Sequence, residues 1–258
     1  MSKPVVGAQL YSLREFTKTT EGFAETIKKV ADIGYTTVQV SGIGPIDAAD
    51  IDRICKDNNV TVSCTHIGWP RFQNELDQVI QEHKTYGCNH PAIGGLPKEY
   101  FEAGQDGVKK FVDELGPIVE KLKAAGMDFS YHNHSHELVK YDGKTWLAGL
   151  YETAPADLLN AEIDTFWIAH GGGDPAQWIT DLAGRQPLLH LKDMVMTPER
   201  EQRFAPIGEG NLNWSAIMQA AESAAVEYAL VEQDNCYGKD PFEEMATSYG
   251  NLVEMGWK

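Results

Sequence analysis

The sequence predicts a single (β/α)8 barrel spanning residues 1–258, and three observations carry the prediction. The chain has 258 residues, close to the ~250 typical of such barrels. Eight short apolar runs recur along it. Each is followed by a Gly-rich or polar junction and then an amphipathic stretch, at the spacing of about 30 residues that βαβ units need. An open, doubly wound parallel sheet is the other arrangement such alternation allows. No GxGxxG or GxxxxGK[ST] follows any of the runs, so a nucleotide-binding reading has no motif behind it.

The elements are read in order. Strand-like runs begin at Val5 (VVGAQLYS), Thr36 (TTVQVSG), Thr61 (TVSCTHIG) and His90 (HPAIGG). They continue at Asp128 (DFSYHNH), Leu159 (LNAEID), Pro187 (PLLHLKD) and Tyr228 (YALVEQD). Helix-like stretches lie between them. FAETIKKVADIG places Phe23, Ile27, Val30 and Ile33 on one face and ends on Gly34, a C-cap signal. GVKKFVDELGPIVEKLKAAG carries a central Gly-Pro that predicts a kink. DPAQWITDLAG opens with an Asp N-cap and Pro at the first helical position. NWSAIMQAAESA and DPFEEMATSYGNLVEMG follow the last two junctions.

Composition narrows the partners. A net charge of −16, from 38 acidic and 22 basic residues, repels phosphate backbones and anionic membranes and argues against a nucleic-acid partner. No apolar run is long enough for a membrane helix, and the opening MSKPVVGAQLYSLREF lacks the apolar core of a secretory leader. Cys55, Cys64, Cys88 and Cys236 form no CxxC pair and read as free thiols. A cytoplasmic location is the expectation. The apolar NWSAIMQAA stretch is compatible with either barrel packing or a homo-oligomer interface.

In a barrel of this kind the active site lies at the C-terminal mouth of the strands. The first four runs end in Gln9 and Tyr11, Gln39, His66, and an apolar Gly-rich segment. The last four are denser. The fifth ends His132-Asn133-His134 with His136 and Glu137 beyond, and the sixth ends at Asp164. The seventh carries His190, Lys192 and Asp193, and the eighth carries Glu232 and Asp234. Strand alternation puts Ser130, His132 and His134 on one face, Leu188, His190 and Lys192 on another, and Leu230, Glu232 and Asp234 on a third. If these faces point inward, His132, Asp164, His190 and Glu232 converge. Two imidazoles and two carboxylates suit Mn2+ first, with Co2+, Zn2+, Fe2+ or Mg2+ as other candidates. A lone His or Asp at a strand end is commonly a hydrogen-bonded or capping residue. Four at equivalent ends of consecutive strands are harder to explain that way, because buried charge is costly unless paired or metal-bound. His83 and His90 read as structural, and His170 as either. Trp69, Phe166 and Trp167 follow strand ends, where they either stack on a sugar face or simply pack.

At these residues the chain resembles the xylose-isomerase-like barrels, specifically the sugar phosphate isomerase/epimerase group. The matching stretches are VGAQLYSLRE, YHNHSHEL, EIDTFWIAHGGGDP, GRQPLLHLKDM, IGEGNLNW and LVEQD. The resemblance implies a divalent metal held by Glu, Asp, His and Glu from strands five to eight. Asp164, His190 and Glu232 match the last three. His132 stands where the epimerases carry Glu, and Glu137 is the alternative first ligand. The resemblance further implies substrate contacts at His66 and Lys192. With Gln9, Tyr11, Trp167, Asp193 and Glu209, His66 is assigned to substrate binding. Glu232, Glu137, His134 and Lys192 are assigned to proton transfer.

The implied activity is isomerisation or epimerisation of a ketose or related keto-sugar through an enediolate. Because the first Glu is replaced, β-elimination on an inosose or a 3-keto-glycoside is the alternative. A phosphodiesterase of the endonuclease IV type is disfavoured by the charge of −16. A non-catalytic sugar-binding barrel is the remaining reading, since fold alone does not fix function.

Overall fold

The structure, a computed structural model, describes residues 3–258; Met1 and Ser2, where the predicted domain begins, lie outside the described residues. Eight parallel strands close on themselves: β1 (Val5–Gln9), β2 (Thr37–Val40), β3 (Thr61–His66), β4 (Pro91–Ile93), β5 (Ser130–His132), β6 (Asn160–Asp164), β7 (Leu188–Leu191) and β8 (Tyr228–Val231). Each pairs with its sequence neighbour, and β8 returns to β1 with Val6 opposite Ala229 and Ala8 opposite Val231. The expected (β/α)8 barrel is therefore present, and every strand falls within one of the eight apolar runs.

Alternation along the strands sorts side chains into two cores. Ala161, Ile163, Leu189, Leu191, Ala229 and Val231 face outward into the large core beneath the helices. Leu188 and Leu230 face inward and meet Cys64 and Ala92 in a small cluster inside the barrel. Gly7 belongs to that crowded interior. A Cβ on it would lie 2.7 Å from the Thr37 methyl and 2.8 Å from Leu230, so space, rather than backbone conformation, selects glycine.

The helices begin where their caps dictate. The Thr19 hydroxyl accepts from the N–H of Gly22 to start Thr20–Ile33, and Gly34 ends that helix at φ 124°. Asp174 and Asp240 cap Pro175–Asp181 and Pro241–Glu254, each with proline in the first turn. Asn213 caps Trp214–Ser223. Gly104–Ala124 is one continuous helix with Pro117 inside it. Two hairpins decorate the mouth, pairing Lys140–Tyr141 with Lys144–Thr145 and Asp193–Met196 with Gln202–Ala205. Among the described residues no helix is long and apolar enough to cross a membrane, and the four cysteines are free thiols.

Candidate active site

β6 presents Glu162 and Asp164 on its inward face, with Ala161 and Ile163 outward. With β5, β7 and β8 it brings His132, Asp164, His190 and Glu232 together. Each offers one donor atom, and the four atoms lie within 4.8 Å of one another. His190 Nδ1 stands 2.8 Å from Glu232 Oε2 and 3.8 Å from Asp164 Oδ2, and His132 Nε2 lies 4.0 Å from Asp164 Oδ2. All four are buried. Asp164 is held from behind, its Oδ1 accepting from the N–H of Trp167 and its own N–H donating to Asn133 Oδ1.

Lys192 lies immediately past the end of β7 and is 1% exposed. Its ammonium sits 2.8 Å from Glu232, 3.0 Å from Asp164 and 3.1 Å from Asp234. Burial opposes its charge, but these carboxylates outweigh burial and raise its pKa. Burial likewise opposes a charged His190, yet Glu162 and Glu232 push that imidazole up to about 10. Burial would raise Glu232, but Lys192 and His190 hold it well below the usual carboxylate range. Asp234 is pushed up to about 7 by burial and by the Glu232 charge. His134 is pushed down to about 3, chiefly by burial and then by Lys192, so its ring is neutral near pH 7.

The donor set fits a divalent ion on two observations. His132 Nδ1 is buried without a hydrogen-bond partner among the described residues, and Asp164 Oδ2 is compensated by the Lys192 ammonium at 3.0 Å, which it shares with Glu232 and Asp234; a bound cation adds positive charge to this carboxylate-rich site. The mixed N and O character is that of Mn2+, Fe2+, Co2+ or Zn2+ rather than Ca2+.

Above the cluster opens a cavity of about 510 Å³, lined by His66, His132, His134, Trp167, Lys192, Glu232 and Asp234, with Tyr11 and Arg14 at its edge. Its size suits a small ligand. Of the sequence-predicted residues, the structure places Tyr11, His66, His132, His134, Trp167, Lys192 and Glu232 on its wall. Asp164 and His190 lie in the cluster beneath it, and four others are placed elsewhere, each for a physical reason. Glu137 is fully buried, with Oε1 accepting from the Tyr131 hydroxyl and Oε2 from the His134 N–H. It is absent from the four-donor cluster and serves the loop after β5; burial pushes its pKa up to about 7. Gln9 lies under the cavity, bonded to Gln39 and to the Tyr11 N–H. Asp193 turns away into the following loop and accepts from the N–H groups of Gly208, Gly210 and Leu212 and from Trp214 Nε1. Glu209 is exposed on that loop, its Oε1 accepting from Asn251.

His83 and His90 are structural, as expected: His83 bonds Thr65 and the Val79 carbonyl, and His90 bonds Asp128. Trp69 packs in the core against Phe111 and donates to Tyr100, while Phe166 packs against Phe204. His170 is exposed and lies face to face with Phe166.

Sequence reasoning passed over Glu162, Gln39 and Asp234 as site residues. Glu162 accepts from His66, His190 and Gln39 at the centre of the barrel. The signal was available, because Glu162 is two residues before Asp164 and so shares its face.

A family model described as xylose isomerase-like TIM barrel matches residues 27–244. No curated protein sequence matches the chain. Among solved structures, the chain is similar to a sugar phosphate isomerase/epimerase from Parabacteroides distasonis, at 22% identity and a TM-score of 0.82, over 98% of this chain and 94% of that one. It is similar to a D-allulose 3-epimerase from Methylomonas sp., at 12% identity and a TM-score of 0.72, over 98% of each chain. It is also similar to a probable 3-DHS dehydratase from Bacillus anthracis, at 14% identity and a TM-score of 0.69, over 97% of this chain and 98% of that one. At these identities the likeness is one of fold.

Proposed function

The chain belongs to the xylose isomerase-like TIM-barrel family, and on that premise we propose that it is a divalent-metal-dependent enzyme that moves a proton beside the carbonyl of a small keto-sugar. The observation that carries this reading is the convergence of His132, Asp164, His190 and Glu232 beneath a cavity of about 510 Å³. Relatives of similar fold include sugar isomerases and epimerases. Those four residues would hold the ion. When bound, it would polarise a carbonyl and stabilise the negative charge of an enediolate.

The remaining roles follow from the side chains. Glu232 lines the cavity beside the cluster, and its position there assigns it the proton on the carbon next to the carbonyl. Lys192 stays charged and offsets the negative charge that develops on oxygen. Asp234, near neutrality in pKa, accepts or returns a proton at the same wall. His134 is neutral and donates or accepts a hydrogen bond to a hydroxyl. Trp167 offers an aromatic face whose Nε1–H has no partner among the described residues.

A second reading rests on a specific observation. The carboxylates on the cavity wall, Glu232 and Asp234, both stand at the end of β8, whereas β5 contributes imidazoles. One base with one neighbouring acid suits β-elimination: Glu232 removes the proton, and Asp234 protonates the departing oxygen. Mn2+-loaded protein should be screened against ketoses, inososes and 3-keto-glycosides for isomerisation and elimination. We expect turnover that disappears on chelation and in Asp164→Asn. Turnover that survives both treatments would overturn the metal-dependent reading.

A further inference from the structure

Beneath the cation cluster lies a second polar layer whose hydrogen bonds have only one consistent direction. The starting point is the backbone N–H of Tyr11, which can only donate. It donates to Gln9 Oε1 at 2.9 Å, so the other end of that amide is NH2. The NH2 lies 2.7 Å from Gln39, which must present its oxygen. The Gln39 NH2 then donates to Glu162 Oε1 at 2.6 Å. His190 Nε2 lies 2.7 Å from Gln39 Oε1 and 3.1 Å from Glu162 Oε1. Both are acceptors, so this nitrogen carries a proton. The second Glu162 oxygen lies 2.8 Å from His66 Nε2 and requires a proton there as well.

We propose that Glu162, directed through Gln39 and Gln9, is a positioning carboxylate shared by two imidazoles, holding both His190 and His66 with a proton on Nε2, so that a cation can take His190 Nδ1 in place of the proton now facing Glu232, and His66 keeps a lone pair on Nδ1. This rests on the metal-dependent reading for His190 only. There Nδ1 donates to Glu232 Oε2 at 2.8 Å and lies 3.8 Å from Asp164 Oδ2, and a cation held by those carboxylates would replace that proton. A carboxylate on the far nitrogen of a ligating imidazole fixes its orientation and raises its basicity. His66 makes a separate case. Its Nδ1 lies 3.5 Å from both the Gln9 NH2, which can only donate to it, and Ser41 Oγ, and a Cβ on Gly94 would stand 2.9 Å from it. Ser41 and Gly94 both line the cavity. Gly94 has no positive φ to explain it, so the missing side chain keeps space beside that nitrogen.

The consequence is chemical. β3 and β8 are separated by β1 and β2 around the barrel, so His66 gives the cavity a proton acceptor across from Glu232. The second acid–base group that a two-base epimerisation needs, absent as a carboxylate at the end of β5, is supplied by an imidazole backed by Glu162.

The test is ¹⁵N NMR of histidine-labelled protein. In the metal-free wild type, His66 is expected to carry its ring proton on Nε2. In the Zn2+-loaded wild type, His190 is expected to keep the Nε2 proton and bind through Nδ1. In Glu162→Gln, the His66 tautomer becomes mixed and Mn2+ affinity falls by about 10–100-fold, the range for losing a carboxylate behind a ligating imidazole. A wild-type His66 protonated on Nδ1 overturns the proposal, and so does a Glu162→Gln variant with unchanged tautomers and Mn2+ affinity. The wild-type spectrum decides the matter even if the variant does not fold. A wild type that binds neither Zn2+ nor Mn2+ defeats the metal reading instead, while the His66 tautomer still judges the shared carboxylate.

Discussion

Two polar layers stacked inside one barrel behave differently. In the lower layer, Gln9, Gln39, Glu162 and His66 hydrogen-bond to one another and to His190. In the upper layer, His132 Nδ1 has no hydrogen-bond partner among the described residues, and Asp164, Glu232 and Asp234 crowd the single ammonium of Lys192. Burial is nearly complete in both, so desolvation does not separate them. Satisfaction does. A buried network whose donors and acceptors are matched rigidifies a site, whereas one with a surplus of lone pairs is built to receive something positive. The contrast extends to two carboxylates outside the layers. Glu137 and Asp193 are as buried as Asp164, but their oxygens are spoken for by nearby donors.

The largest effect expected from this contrast is at Lys192. Lys192→Met leaves Asp164, Glu232 and Asp234 without their ammonium, which should lower the stability of the metal-free protein by about 3–5 kcal/mol. Saturating Mn2+ should restore most of it, because the ion supplies the missing charge. Thermal unfolding with and without Mn2+ reads this directly, and a loss that Mn2+ leaves untouched would break the distinction between the layers.

Glu137 comes next and concerns pH. Its carboxyl is raised from 4.5 to about 7 by burial. A raised acid favours the folded state while protonated, so this contribution is complete below pH 4.5 and is lost as pH rises through 7. The wild type should lose about 3 kcal/mol from this source over that interval. Glu137→Gln, measured by denaturant unfolding at pH 4.5 and pH 8, should lack that component, and its Mn2+ affinity should match the wild type.

The smallest effect is at Asp193. Asp193→Asn puts an amide against several N–H donors and should cost about 1–3 kcal/mol, read by unfolding, with Mn2+ affinity again unchanged. A large fall in Mn2+ affinity in either carboxylate variant would place that residue among the cation's partners.

Much of this molecule was legible in its sequence because the barrel is a periodic object. The eight apolar runs mark the eight strands, and alternation puts His132, His190 and Glu232 on the faces that meet inside the barrel. The same rule, applied from Asp164, leads to Glu162. It was missed because a mid-strand carboxylate looks like solvent-facing polarity unless its strand is known to be enclosed on both sides. Asp193 shows the opposite failure. Alternation from His190 and Lys192 already sets it on the opposite face, and past the end of β7 at Leu191 the N–H groups of the following loop take its carboxylate. Glu137 depended on a loop returning to the cation cluster. The Tyr131 hydroxyl, six residues earlier, captures it instead. Glu209 stays outside because its loop is pinned by Asp193 and Asn251 with the carboxylate outward.

The central claim concerns place: a divalent cation sits among His132, Asp164, His190 and Glu232, above a satisfied layer and below the cavity. Anomalous scattering from crystals of the Mn2+-loaded protein locates the ion without reference to any substrate. The account predicts one strong peak within bonding distance of those four side chains, about 2.0–2.3 Å from each donor, with Lys192 moved aside. A peak centred on Glu162 and His66 instead, or Mn2+-loaded crystals with no peak in the barrel, would contradict it.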